Sequence, residues 1–100
     1  MVLTSILLWS LIAAAGLALV SLAYLHYQDI LDYFHGRSKI KIGDPKIIAF
    51  ILKDHLDSGK YRVAYGFFNP QTSEIIDGEC VEADKADNEV DELDELTVLE

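Results

Sequence analysis

Few residues of this chain could do chemistry. Cys80 is the only cysteine, so thiols supply neither an internal disulfide nor a four-ligand zinc site. Its neighbours in "DGECVEAD" are acidic and would raise the thiol pKa, which works against a nucleophilic thiolate. A small, half-buried residue is the simpler reading of Cys80. His26, Asp29, Asp32 and His35 invite a metal reading, but each successive position steps about 300° around a helix. The four therefore spiral about the axis instead of converging on one ion. The carboxylates crowded toward the C-terminus sit in no apolar pocket that would tune one as an acid or base. No phosphate-cradling glycine loop and no Ser/His/Asp set occurs. The chain thus reads as a non-enzyme that calls for no metal, cofactor or small-molecule substrate.

Charge divides the chain into unlike parts. The net charge is −9 over 100 residues, and 51% of them are hydrophobic. No charged residue lies between Val2 and Leu25, and the first forty residues are neutral overall. The block Lys41–Arg62 carries +2 and Val63–Glu100 carries −11. Nucleic-acid affinity comes mostly from cationic side chains, so so acidic a chain is not expected to bind DNA or RNA.

The 24 uncharged residues "VLTSILLWSLIAAAGLALVSLAYL" would span roughly 36 Å as a helix, enough for a hydrocarbon core of about 30 Å. A cleaved signal peptide would need a basic leader, a shorter apolar run and a small-residue cleavage box. The expectation is a single transmembrane helix over residues 1–25. Arg37, Lys39, Lys41 and Lys46 follow it and none precede it, which orients the N-terminus outside and the C-terminus in the cytoplasm. Trp9 near one end and Tyr24 and Tyr27 near the other suit headgroup layers. Ser10, Ala14 and Ala18 recur every fourth residue with Ser21 near the same line. Such a row lets a partner helix or a second copy approach closely in lipid.

Beyond the span, Tyr27, Ile30, Leu31 and Phe34 fall at i, i+3, i+4 and i+7, one face of a juxtamembrane amphipathic helix over residues 26–36. Residues 37–44 read as a basic linker. Asp44–Pro45 resembles a helix opening, with a capping side chain and a residue whose missing N–H costs nothing there. Ile47, Ile48, Ile51, Leu52 and Leu56 continue at helical spacing to about residue 57. A strand over "KIIAFIL" competes, and Phe50 does not fit the helical face. Two strand-like runs, about 61–68 and 75–82, flank "NPQTS" and predict a hairpin. Tyr61, Val63, Tyr65 and Phe67 would share a face with Ile76, Gly78 and Cys80, with Tyr65 covering Gly78. Residues 84–100 read as an acidic, mostly disordered tail with Val90, Leu93, Leu96 and Leu99 at every third position.

The fold class that follows is α+β. It comprises a transmembrane helix, an amphipathic extension, a small helix-plus-hairpin module at 45–83 and an acidic tail, with an all-β meander as the alternative for the module. The function that follows is a non-catalytic interaction module. It would be an accessory subunit, assembly factor or regulator of a larger membrane complex, with the lipid bilayer and a membrane-protein partner or second copy as contacts. Two other classes compete: a membrane-active protein of toxin or holin type acting by self-association, and a thiol-dependent enzyme using Cys80.

Overall fold

The computed structural model describes residues 3–99. Met1 and Val2 of the expected span, and Glu100 of the expected tail, lie outside them. In chain order the elements are α1 (Ser5–Ala15), β1 (Leu19–Leu25), α2 (Tyr27–Gly36), α3 (Ser38–Gly43), β2 (Ile48–His55), β3 (Tyr61–Asn69), β4 (Glu74–Ala86), α4 (Asn88–Asp91) and β5 (Leu96–Leu99). The strands form one mixed sheet in the order β1-β4-β3-β2-β5. The pairing of β1 with β4 is parallel and every other pairing is antiparallel.

The uncharged N-terminal run does not form the expected transmembrane helix. Thr4 opens α1 by accepting a hydrogen bond from the Leu7 N–H at 3.1 Å. Gly16 closes it in the left-handed conformation at φ 70°, donating its N–H to the Ala13 carbonyl. Glycine adopts that conformation without the steric cost a side chain would bring. Eleven helical residues reach only about 16 Å, roughly half a hydrocarbon core. The rest of the uncharged run is β1. No helix among the described residues is long and apolar enough to cross a membrane, so the single-pass, N-out/C-in reading loses the element on which it stood.

Three further expectations change for related reasons. The basic linker is mostly the short helix α3. The segment expected as a helix over 45–57 is instead β2, buried on both faces. Ala49 and Ile51 enter one core while Phe50 and Leu52 enter the other. A strand covered on both sides reads as a continuous apolar run, and such a run imitates a buried helix. At its start the Asp44 carboxylate accepts from the Lys46 N–H at 3.0 Å, a local turn and not a helix cap. The acidic tail is ordered: Val90 of α4 is fully buried, and β5 pairs with β2 from Leu96↔Leu52 to Leu99↔Ala49.

The hairpin segment forms β3 and β4, but its register is one residue from the expected one. Tyr65 lies opposite Glu79, and Gly66 opposite Gly78. A one-residue slip exchanges faces, so Cys80 packs with Ala64 beneath α1 while Val63, Tyr65 and Phe67 face the other core. That second core is covered by α2, α3 and α4 through Ile30, Tyr33, Ile40 and Val90. The sheet is thus sandwiched between α1 and the other three helices.

The two facing glycines let β3 and β4 approach closely. A Cβ on Gly66 would overlap the Asp77 carbonyl oxygen and lie 2.7 Å from the Gly78 Cα. Gly66→Ala should therefore lower unfolding free energy by about 3 kcal/mol, the upper range for overpacking against backbone. Gly36→Ala meets open space and should stay within about 1 kcal/mol; urea denaturation of both variants checks the contrast.

Candidate interaction edge

The sheet has two edges, and they are built differently. β5 is four residues long, follows Asp94 and Glu95 directly, and is covered at its end by Lys41, whose Nζ donates to the Leu99 carbonyl at 3.0 Å. Shortness, flanking charge and a lysine cover are ways in which sheets blunt an edge. β1 has none of them. Its seven residues, LVSLAYL, include no charge and no proline. Leu19, Val20, Ser21, Ala23 and Tyr24 are all exposed. Among the described residues, no other strand lies on its outer side.

What holds β1 in place sits at its C-terminal end. Asp87, just beyond β4, accepts from the Tyr24 hydroxyl at 2.7 Å and from the Tyr27 backbone N–H at 2.8 Å. Its own N–H donates to the Leu25 carbonyl, and His26 Nδ1 lies 3.7 Å away. The tyrosine hydrogen bond, then the backbone one, hold the Asp87 carboxyl below its ordinary value. The strand is fastened at one end and open along its length.

A groove borders β1 on each face. On the α1 side a space of about 350 Å³ is lined by Trp9, Leu17, Leu19, Asp54, Arg62 and Cys80. Arg62 lies between Asp54 and Glu82 in the cross-strand register, so this groove carries both signs of charge over an apolar wall. The Arg62 Nε is buried without a hydrogen-bond partner among the described residues. Burial pushes the Cys80 thiol up, more than Arg62 lowers it, which leaves the thiolate disfavoured.

On the α2 side a space of about 490 Å³ is lined by Ala18, Val20, Leu22, Asp29, Tyr65 and Glu79, among others. The Tyr65 hydroxyl donates to Glu79 at 2.8 Å, and burial together with that bond pushes the Tyr65 phenol well above its ordinary pKa. Asp29 accepts from the His26 N–H at 3.3 Å, closing the first turn of α2. Neither Asp29 nor Glu79 has a cation within ion-pair distance among the described residues. The nearby Arg37 is committed to Asp77 at 2.7 Å and lies 4.1 Å over the Tyr33 ring.

The residues singled out from the sequence are dispersed by this fold. Ser10 is exposed on α1 and donates to the Ile6 carbonyl. Ala14 is exposed near the end of that helix, Ala18 falls in the turn after it, and Ser21 lies on β1. They do not make one helical row. Tyr27, Ile30, Leu31 and Phe34 lie on α2, with Ile30 fully buried, Tyr27 and Phe34 half-buried against the core it joins, and Leu31 half-buried. Of the four cations expected to set a topology, Arg37 and Lys41 make the contacts above, and Lys39 and Lys46 are exposed. His26 precedes α2 and Asp29, Asp32 and His35 are spread along it from first turn to last, and no group of three metal-ligating side chains occurs among the described residues. The edge strand β1 lies within the run expected as membrane span, and its lack of charge is the signal in the sequence that marks it. Compared with protein-family models, curated proteins and solved structures, the chain matches none.

The Asp87 fastening has a pH signature. A carboxylate whose folded pKa is depressed adds stability above its unfolded value, here near 3.8, and loses it as pH falls through the folded value. The stability gap between the wild type and Asp87→Asn should be full at pH 7 and shrink steadily below about pH 4; urea titrations across pH 2.5–7 measure it.

Proposed function

We propose that the chain is a non-catalytic interaction module that takes an extended segment of a partner protein onto β1, as an accessory or regulatory subunit of a larger assembly. One observation carries this reading: β1 is a seven-residue, uncharged edge strand without the blunting that β5 carries. Strand addition satisfies an open edge through main-chain hydrogen bonds, and flanking pockets select the side chains. The two grooves beside β1 are suited to that second task. Burial pushes the Cys80 thiol up, which disfavours the thiolate that a thiol-dependent enzyme needs.

The thiol-enzyme alternative needs an activated Cys80, and the self-association alternative needs a spanning helix. Neither has a supporting observation of the strength of the open edge.

Selection of random nine-residue peptides against the full chain tests the proposal. Bound peptides should slow amide hydrogen exchange at Leu19–Ala23. Adjacent residues on a strand direct their N–H groups to opposite sides, so either Val20→Pro or Ser21→Pro removes an outward donor and leaves the β4 ladder intact. That variant, recognised by its native circular dichroism, should bind at least about tenfold more weakly. Binders that protect another surface, or that ignore both prolines, would overturn the proposal.

A further inference from the structure

The grooves differ in chemistry, and that difference specifies the partner strand. We infer that β1 recruits a segment of alternating basic and apolar residues. The basic side chain that falls beside Ala18 reaches Glu79 and Asp29, and the apolar ones enter the groove beside Trp9 and Leu17. The inference rests on the strand-addition reading above and adds to it the identity of the side chains.

The geometry comes from the pleat. Successive residues of an added strand point to opposite faces of the sheet, so one sequence period of two serves both grooves. Strands lie about 4.8 Å apart, which puts an added strand roughly 10 Å from β4. A lysine or arginine can bridge that distance to a glutamate if the residue between is small. Leu19 pairs with Cys80, so the preceding residue, Ala18, stands beside Glu79, and it is exposed and small. Val20, Leu22 and Val81 supply apolar walls for the stem of such a side chain. Its head meets two carboxylates, one of them fixed by Tyr65.

Charge decides between this partner and a second copy. An identical β1 would offer Leu, Val and Ser to Glu79 and Asp29 and no cation. It would also bring together two chains of −9 each, which repel. On the α1 face the charges of Arg62, Asp54 and Glu82 are mixed in sign, so the apolar wall of Trp9, Leu17 and Leu19 sets the preference there. A basic, apolar-alternating strand matches both faces and the sign of the whole molecule, and electrostatic attraction would speed its encounter.

Three synthetic nine-residue peptides test the inference, alternating valine with lysine, serine or glutamate. Each is N-methylated along one edge so that it cannot stack on itself. The lysine peptide should bind the full chain most tightly and the glutamate peptide least, with the gap narrowing as salt rises. Its binding should perturb the fluorescence of Trp9, the only tryptophan. A Glu79→Gln, Asp29→Asn variant should lose about tenfold for the lysine peptide and little for the serine one. If all three peptides bind alike and that variant changes nothing, while the fold-retaining β1 proline variant still abolishes binding, strand addition stands and the charge assignment falls. If no peptide binds, both fall. Lysine-peptide binding that ignores the β1 prolines, or light scattering that gives a dimer broken by those prolines, would also overturn the inference.

Discussion

A sheet that is apolar on both faces must be covered twice, and that requirement organises this chain. Phe50 and Leu52 point one way from β2 while Ala49 and Ile51 point the other. One helix on one side would leave half of these residues in water, at a cost of about 25 cal/mol for each Å² of apolar surface left uncovered. The uncharged N-terminal run meets part of the need by breaking at Gly16. Its first part lies over one face as α1, with Leu8 and Ile12 one turn apart and buried. Its second part becomes the edge strand. The amphipathic α2 then returns across the opposite face, where Tyr33 packs edge-on against Tyr65 at 5.0 Å and Phe34 against Phe67 at 5.5 Å.

This requirement also explains which parts of the fold were legible. The apolar face of α2 could be read because a half-buried helix carries a period of its own, and Ile30 sits at its centre. The hairpin segment could be read because "NPQTS" is turn chemistry: the Asn69 side chain accepts from the Gln71 N–H at 2.9 Å. Its register could not, because aromatic covering of a glycine competes with a contact that side-chain patterns do not encode. Gly66 faces Gly78 at backbone distance, and Tyr65 is left to find Glu79. The helix expected over 45–57 failed at the residue that did not fit it. Phe50 was off the helical face because it belongs to the other side of a strand. The tail failed for a different reason. Its every-third spacing suits neither a helix nor a strand throughout, but α4, a turn and β5 bring Val90, Leu93 and Leu99 to one core and Leu96 to the other.

The N-terminal run is the clearest lesson in what hydropathy leaves open. Twenty-four uncharged residues satisfy a bilayer, and they also satisfy a small domain whose sheet needs a cover and an edge. Composition is the same in both cases. The deciding residue is Gly16, off the small-residue row and at a left-handed φ of 70°. Once the helix ends there, Ser10, Ala14, Ala18 and Ser21 cannot form one face. Their smallness acquires a different consequence, because Ala18 leaves Glu79 uncovered.

The contrast between the two edges then becomes an argument about use. An open, uncharged strand exposes the chain to unwanted pairing, and β5 carries the means to avoid it: brevity, acidic flanks and Lys41 over Leu99. β1 lacks these, yet it is not a frayed terminus. Asp87 takes the Tyr24 hydroxyl and the Tyr27 N–H, and the Leu25 carbonyl takes the Asp87 N–H, so the strand is held while its outer side stays open. Glu79 lies one strand inward on the α2 face, beside the small Ala18, while Glu82 lies on the α1 face opposite Ser21 and next to Arg62. On the strand-addition reading, the carboxylate on the α2 face favours a strand of opposite charge over a second copy of this chain. An edge that is held and open is what strand addition requires of a binding surface.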